Sequence, residues 1–165
     1  MQTFLPFKSF VSTARTLDNK RLNKQILECY QILKVMHNDD PHAGWRNHPA
    51  VKMWRGHAKS LWNYTMCMVD EAVVRGIKTD GNMRNLLALR DEVGHTWTSG
   101  DPEWYNNDIV MKRVTTTHKA NLYRKDPIQY FDFAEAVVSK NNEPCCERCN
   151  YYWVTHLPEA YKKVA

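Results

Sequence analysis

Apolar residues recur at helical steps over most of the chain and almost nowhere at alternate positions, a pattern that predicts an all-α fold. The longest run is Val51, Trp54, Ala58, Leu61, Thr65, Met68 and Ala72, in unbroken steps of three and four. With Pro49 suited to a first helical turn and Gly76 to a C-terminal cap, it predicts one long central helix. Upstream, Leu22, Ile26, Cys29 and Leu33 form the apolar stripe of another long helix beginning near Asp18. Downstream, the turn Asp80-Gly81-Asn82 opens a shorter helix carrying Met83, Leu86, Leu87, Leu89 and Val93. Asp108 to Lys125 reads as a basic helix, and Ile128 to Val138 as one more, rich in aromatics. Ser9 to Leu17 is a short helix or turn, while Met1 to Phe7, broken by Pro6, is expected to lie across a core. The expected architecture is a compact single-domain helical bundle over residues 1–138. An irregular, cysteine-containing tail, 139–165, packs on that domain.

A chain of 165 residues with 43% hydrophobic content has enough apolar material for one core. Lys and Arg exceed Asp and Glu by 23 to 18, giving +5, which favours an anionic partner without naming it. No apolar run approaches the roughly 20 residues of a membrane span, and no leader pattern opens the chain, so a cytoplasmic protein is expected. A monomer is the simplest expectation.

The second stripe of the first long helix is chemically richer. Arg21, Lys24, Gln25 and Glu28 follow one another at helical spacing and set a single carboxylate among cations and an amide. It reads either as a face for an anionic substrate or as a solvated ridge with Lys24 and Glu28 paired at i, i+4. Arg46, Asn47 and His48 precede Pro49, where the amides of a starting helix attract anions; the alternative is that His48 caps the helix and Trp45 is core. His118, Lys119, Asn121, Arg124 and Lys125 gather towards one helix end and lead into Tyr130. They read either as a phosphate grip beside a stacking ring or as a solvated helix end.

Five cysteines is an odd number, and Cys29 and Cys67 fall within helical patterns, which argues for reduced thiols. Cys145, Cys146 and Cys149 contain one CxxC, with His156 the nearest further donor and no second pair. Free thiols are the expectation there, with neither a metal nor a cofactor called for.

Together these residues resemble the phage pyrimidine-dimer DNA glycosylase family of the endonuclease V type, and more nearly its small bacterial and phage homologues. The resemblance spans about residues 1 to 130. It rests on the opening Met-Gln-Thr-Phe-Leu-Pro, on Leu17-Asp18 through Arg21-Leu22, Lys24-Gln25 and Glu28, on Gly44 through Val51 with Met53-Trp54, and on Arg124-Lys125-Asp126-Pro127. It implies an enzyme that cleaves the N-glycosidic bond of a damaged or modified base in double-stranded DNA, with abasic-site lyase activity, in a bacterium or phage-infected host. It further implies that the chain's own α-amine is the nucleophile and that Glu28 assists it. An α-amine is partly unprotonated near neutral pH, where a lysine is mostly charged. The family exposes a small residue followed by arginine; here Met1-Gln2-Thr3 stands in that place, and bulky Gln2 disfavours initiator removal, so Met1 is the expected nucleophile. Gln25 occupies the family's first acidic position. Gln2, Arg21, Lys24 and Gln25 would hold phosphates and the target nucleotide, with Trp45, Trp54 and Tyr130 as wedges or platforms. The expectation at the centre is that Glu28 faces an open, positively lined hollow shared with Met1 and His48. Two other readings of the same residues remain: a site for a free nucleotide or nucleotide-derived signal, and a non-catalytic DNA-binding module.

Overall fold

A computed structural model describes residues 1–40, 42 and 44–156. Every regular element among them is helical, as the periodicity predicts. Among the described residues no helix is long and apolar enough to cross a membrane. Helices α1 (Phe10–Thr16), α2 (Asn19–Met36), α3 (Pro49–Trp54), α4 (Ala58–Val74) and α5 (Asp80–Val93) are followed by α6 (Glu103–Asn106) and α7 (Asp108–Lys125). The chain divides into two compact units, one of Met1–Thr3 with Ser9–Pro102, the other of Phe4–Lys8 with the chain from Glu103 onward.

In the first unit α4 packs against α1 and α2, and α2 also meets α3 and α5. The stripe Leu22, Ile26, Cys29 and Leu33 is wholly buried there, joined by Ile32. Burial of each large aliphatic side chain stabilises the fold by about 1.5–3 kcal/mol. Asp18 caps α2 by accepting the Arg21 backbone N–H. At the far end of α4, Gly76 takes φ +68°. The Ile77 N–H reaches the Ala72 carbonyl and the Gly76 N–H that of Val73, the paired bonds that end a helix on a left-handed glycine. Beside it, Arg75 spreads its guanidinium over the carbonyls of Ala14, Arg15 and Leu17, satisfying the end of α1.

The expected central helix is two helices. Arg55 is extended and Gly56 has φ +82°, so the chain turns between α3 and α4. The apolar series runs through the break because both pieces bury the same face: Val51, Trp54, Ala58, Leu61, Thr65, Met68 and Ala72 are all buried. Gly56 was the visible sign of the turn.

In the second unit α7 has the bounds the sequence predicts and packs against α6 and the segment after it. That segment is not an α-helix over Ile128–Val138 but a 3-10 helix, Phe131–Val137. Three residues per turn set Tyr130 and Phe133 one above the other, their rings stacked at 5.9 Å and 12°. Ile128 is left 93% exposed.

Candidate active site around Met1 and Glu28

In the first unit the amino terminus lies against α2. The Met1 nitrogen is 4.0 Å from Glu28 Oε1, and both side chains are largely shielded from solvent. Gln25, one turn earlier on α2, organises the pair. Its Nε2 donates to the Gln2 carbonyl at 2.6 Å and to Glu28 Oε2 at 3.1 Å. The Tyr64 hydroxyl, from α4, donates to Gln25 Oε1 at 2.7 Å, which fixes the orientation of the amide. Farther along the strand, the Trp54 indole N–H donates to Thr3 Oγ1 at 3.0 Å. Two anchors therefore hold three residues of extended chain and set the terminal nitrogen beside the carboxylate.

Burial raises the proton affinity of Glu28. The Met1 amine, Lys24, the Gln2 backbone N–H and the Gln25 amide oppose that rise without cancelling it, so the carboxyl titrates above its ordinary value of 4.5. Lys24 Nζ is 3.8 Å from Glu28 Oε1, the i, i+4 pair of the alternative reading, and its side chain is 68% exposed, whereas Gln25 and Glu28 on the same ridge are buried. Arg21 is braced by Asp18.

A hollow of about 280 Å³ opens beside the terminus, lined by Met1, Gln31, Lys34, Val35 and Trp45. Lys34 gives it a cation, and neither Glu28 nor His48 lines it, so this hollow is not by itself the cavity expected to be shared by all three. Gln31 and Lys34 were missed, although Lys24, Glu28, Gln31 and Lys34 continue the polar ridge in steps of four, three and three. Tyr64 and Thr3 had no local signal, since their partners lie 39 and 51 positions away in sequence.

Trp45 is 60% exposed rather than core. It is the one non-glycine with positive φ among the described residues, at +69°. Its ring lies 5.5 Å from that of His48. A left-handed conformation costs a bulky residue roughly 1–2 kcal/mol, and a strained, exposed ring at the edge of a hollow points to use. Trp45→Gly is expected to leave thermal stability equal or raised, and, if the ring stacks on a base as the resemblance implies, to weaken DNA binding by about 1–3 kcal/mol. Unchanged affinity in a titration would remove the ring from the binding surface.

Other predicted site residues are placed differently. His48 caps α3, its Nδ1 accepting the Ala50 N–H at 3.1 Å, so the ring itself fills the place proposed for an anion. Burial and then the Met1 amine lower its pKa. Arg46 donates to the Asn38 carbonyl and Asn47 is exposed. Trp54 is fully buried and cannot act as a wedge; its position in the apolar series already said so.

The second cluster is likewise corrected. His118 is 1% exposed, with Nδ1 accepting the Leu5 N–H at 2.7 Å; Val114, His118 and Leu122 share one apolar face of α7. Asn121 is buried and donates to the Thr117 and Asn150 carbonyls. Tyr130 is 2% exposed. Lys119 Nζ lies 4.4 Å from the centre of the Phe7 ring, and burial lowers its pKa. Arg124 and Lys125 remain at the surface.

A family model described as pyrimidine dimer DNA glycosylase matches residues 1–85 of the 165. The match takes in α1 to α4 and the start of α5, including every residue placed around Met1 and Glu28. It ends before α7 and so lends nothing to His118–Tyr130. No curated protein and no solved structure matches the chain.

Proposed function

Because the chain belongs to the pyrimidine dimer DNA glycosylase family, we propose that it removes a damaged base from duplex DNA, with the Met1 amine as nucleophile and Glu28 as its acid–base partner. The observation that carries this reading is the 4.0 Å approach of Met1 nitrogen to Glu28 Oε1, with Gln25 bonded to both the terminal strand and the carboxylate. The unprotonated amine attacks C1′ of the damaged nucleotide. A C–N bond forms as the glycosidic bond breaks, and the base leaves with the electron pair and takes up a proton. Opening of the sugar gives an imine on Met1. Removal of a C2′ proton by Glu28 then expels the 3′ phosphate, which is the lyase step.

The surroundings suit such a substrate. Lys20, Lys24, Lys34, Lys52 and Arg55 of the first unit are exposed and available to phosphates. Trp45 offers a ring on which an unstacked base can rest.

Borohydride reduction in the presence of abasic-site DNA is expected to trap a covalent adduct whose peptide map places the DNA on Met1. Reductive methylation confined to the α-amine should abolish it. An adduct on a lysine instead, or none at all, would remove Met1 as nucleophile. A salt series distinguishes DNA from a free nucleotide, because log affinity falls by about 0.9 per phosphate contact for each decade of salt. Several contacts give a steep line, a single mononucleotide a shallow one.

A further inference from the structure

The second unit contains a cluster that the glycosylase reading does not use. Cys145, Cys146 and Cys149 bring one sulfur each to within 4.8 Å of one another. We propose that these three thiols form a binding site for a divalent thiophilic cation of the zinc type, which orders the loop that carries them.

Around zinc, sulfur ligands lie at about 2.3 Å, so two of them at a tetrahedral centre are roughly 3.8 Å apart. Cys146 Sγ and Cys149 Sγ are 3.0 Å apart, and with Cys145 they span one triangular face of such a centre after small side-chain rotations. The backbone is already bent for it. The Cys149 N–H donates to the Cys146 carbonyl at 3.0 Å, closing the CxxC turn, and the Cys145 N–H donates to the Tyr151 carbonyl at 3.3 Å, closing the loop.

The loop's root is fixed on α7. The Tyr152 N–H donates to Thr117 Oγ1 at 3.1 Å, Asn121 donates to the Asn150 carbonyl, and the Arg113 guanidinium sits 4.2 Å from the centre of the Tyr152 ring. At its tip Cys146 is exposed, Cys145 and Cys149 are half-buried, the Cys145 thiol donates to the Tyr151 carbonyl at 3.5 Å, and Glu147 and Arg148 face solvent. A bound cation would supply there the cohesion that an apolar core supplies elsewhere. A disulfide between Cys146 and Cys149 would use two of the converging sulfurs; a cation would use all three.

Each thiol gives up its proton on binding, so uptake of one cation releases three protons to solvent. The three thiolates leave one coordination place for a further donor; the side chain of His156, the next donor along the chain, lies outside the described residues.

The test is a titration of the full, reduced, chelator-stripped chain with zinc(II) and cobalt(II). One equivalent is expected to bind, with cobalt giving thiolate-to-metal charge-transfer bands and the visible absorption of tetrahedral coordination. Replacing all three cysteines by serine should abolish binding, Cys145→Ser alone should weaken it on the order of a hundredfold or more, and Cys67→Ser should leave it unchanged. Circular dichroism of the triple variant checks that its helices persist, and the wild-type titration stands without it. No stoichiometric uptake by the wild type, equal uptake by the triple variant, or unchanged affinity in Cys145→Ser each overturns the site. So does a Cys146–Cys149 disulfide whose reduction yields no metal binding.

Discussion

Glu28→Gln is expected to lower glycosylase turnover by about 10²–10⁴-fold and to leave duplex affinity nearly unchanged. The loss follows from the role proposed for the carboxylate, since an amide can neither take a proton nor balance a positive charge developing on the sugar. Affinity is spared because the Glu28 side chain is only 11% exposed and its partners are the terminal amine, Gln25 and Lys24 rather than a phosphate-facing surface.

The same substitution has a second readout in stability. The folded carboxyl titrates above the ordinary 4.5, mainly through burial. Between that ordinary value and the higher folded one, the native state binds more protons than the unfolded state. Its contribution to stability therefore falls as pH rises through this window and stays low above it. Glu28→Gln lacks this decline, so its thermal midpoint, compared with wild type from acid to neutral pH, should gain ground as pH rises. A variant that retains turnover would place Glu28 in the scaffold instead of the chemistry, and one whose deficit in midpoint grows towards neutral pH would contradict a carboxyl that titrates above its ordinary value.

The other large effect is acid lability set by His118. Burial pushes its pKa down to about 3, and the ring is neutral while it accepts the Leu5 N–H. Below the ordinary value of 6.5 the unfolded chain takes up a proton that the native ring refuses. Stability is thus lost as pH falls from 6.5 towards 3, at up to about 1.4 kcal/mol per pH unit. In His118→Asn the amide oxygen can still accept the Leu5 N–H, so the variant is expected to be weakened at every pH by lost packing yet to lose most of this slope. Denaturant unfolding at several pH values measures it. His118→Ala, which also abandons a buried N–H, should cost about 2–5 kcal/mol at neutral pH. A wild-type stability that is level between pH 6.5 and 4 would contradict a buried, neutral His118.

Of the two histidines that the sequence offered to a phosphate, one is core and the other is a helix cap. His118 lies on the apolar face shared by Val114 and Leu122, and His48 stands at the N-terminus of a helix whose cap it fills itself. For His48 the cap was the alternative already stated; for His118 neither the phosphate grip nor the solvated helix end holds, and its i, i+4 spacing with Val114 and Leu122 was the sign of core. Trp54 repeats the lesson: an aromatic in phase with Val51 and Ala58 is core, whereas Trp45, out of phase, is the exposed ring.

Periodicity alone carried the all-helical class, the limits of α7, the glycine stop after α4 and the buried stripe of α2, because each depends on residues within a turn or two of one another. It also set Gln25 and Glu28 on one side of one helix. Tertiary packing decided that this side would meet the start of the chain. The bonds that bring Met1 to Glu28 run from Gln25 to Gln2, from Tyr64 to Gln25 and from Trp54 to Thr3. Their partners are 23 to 51 residues apart, and no local pattern encodes a contact between groups that far along the chain. Gly56, where the chain turns with φ +82°, is a residue that a helix interior tolerates at a cost of only about 1 kcal/mol, so its presence in the sequence did not by itself require the break.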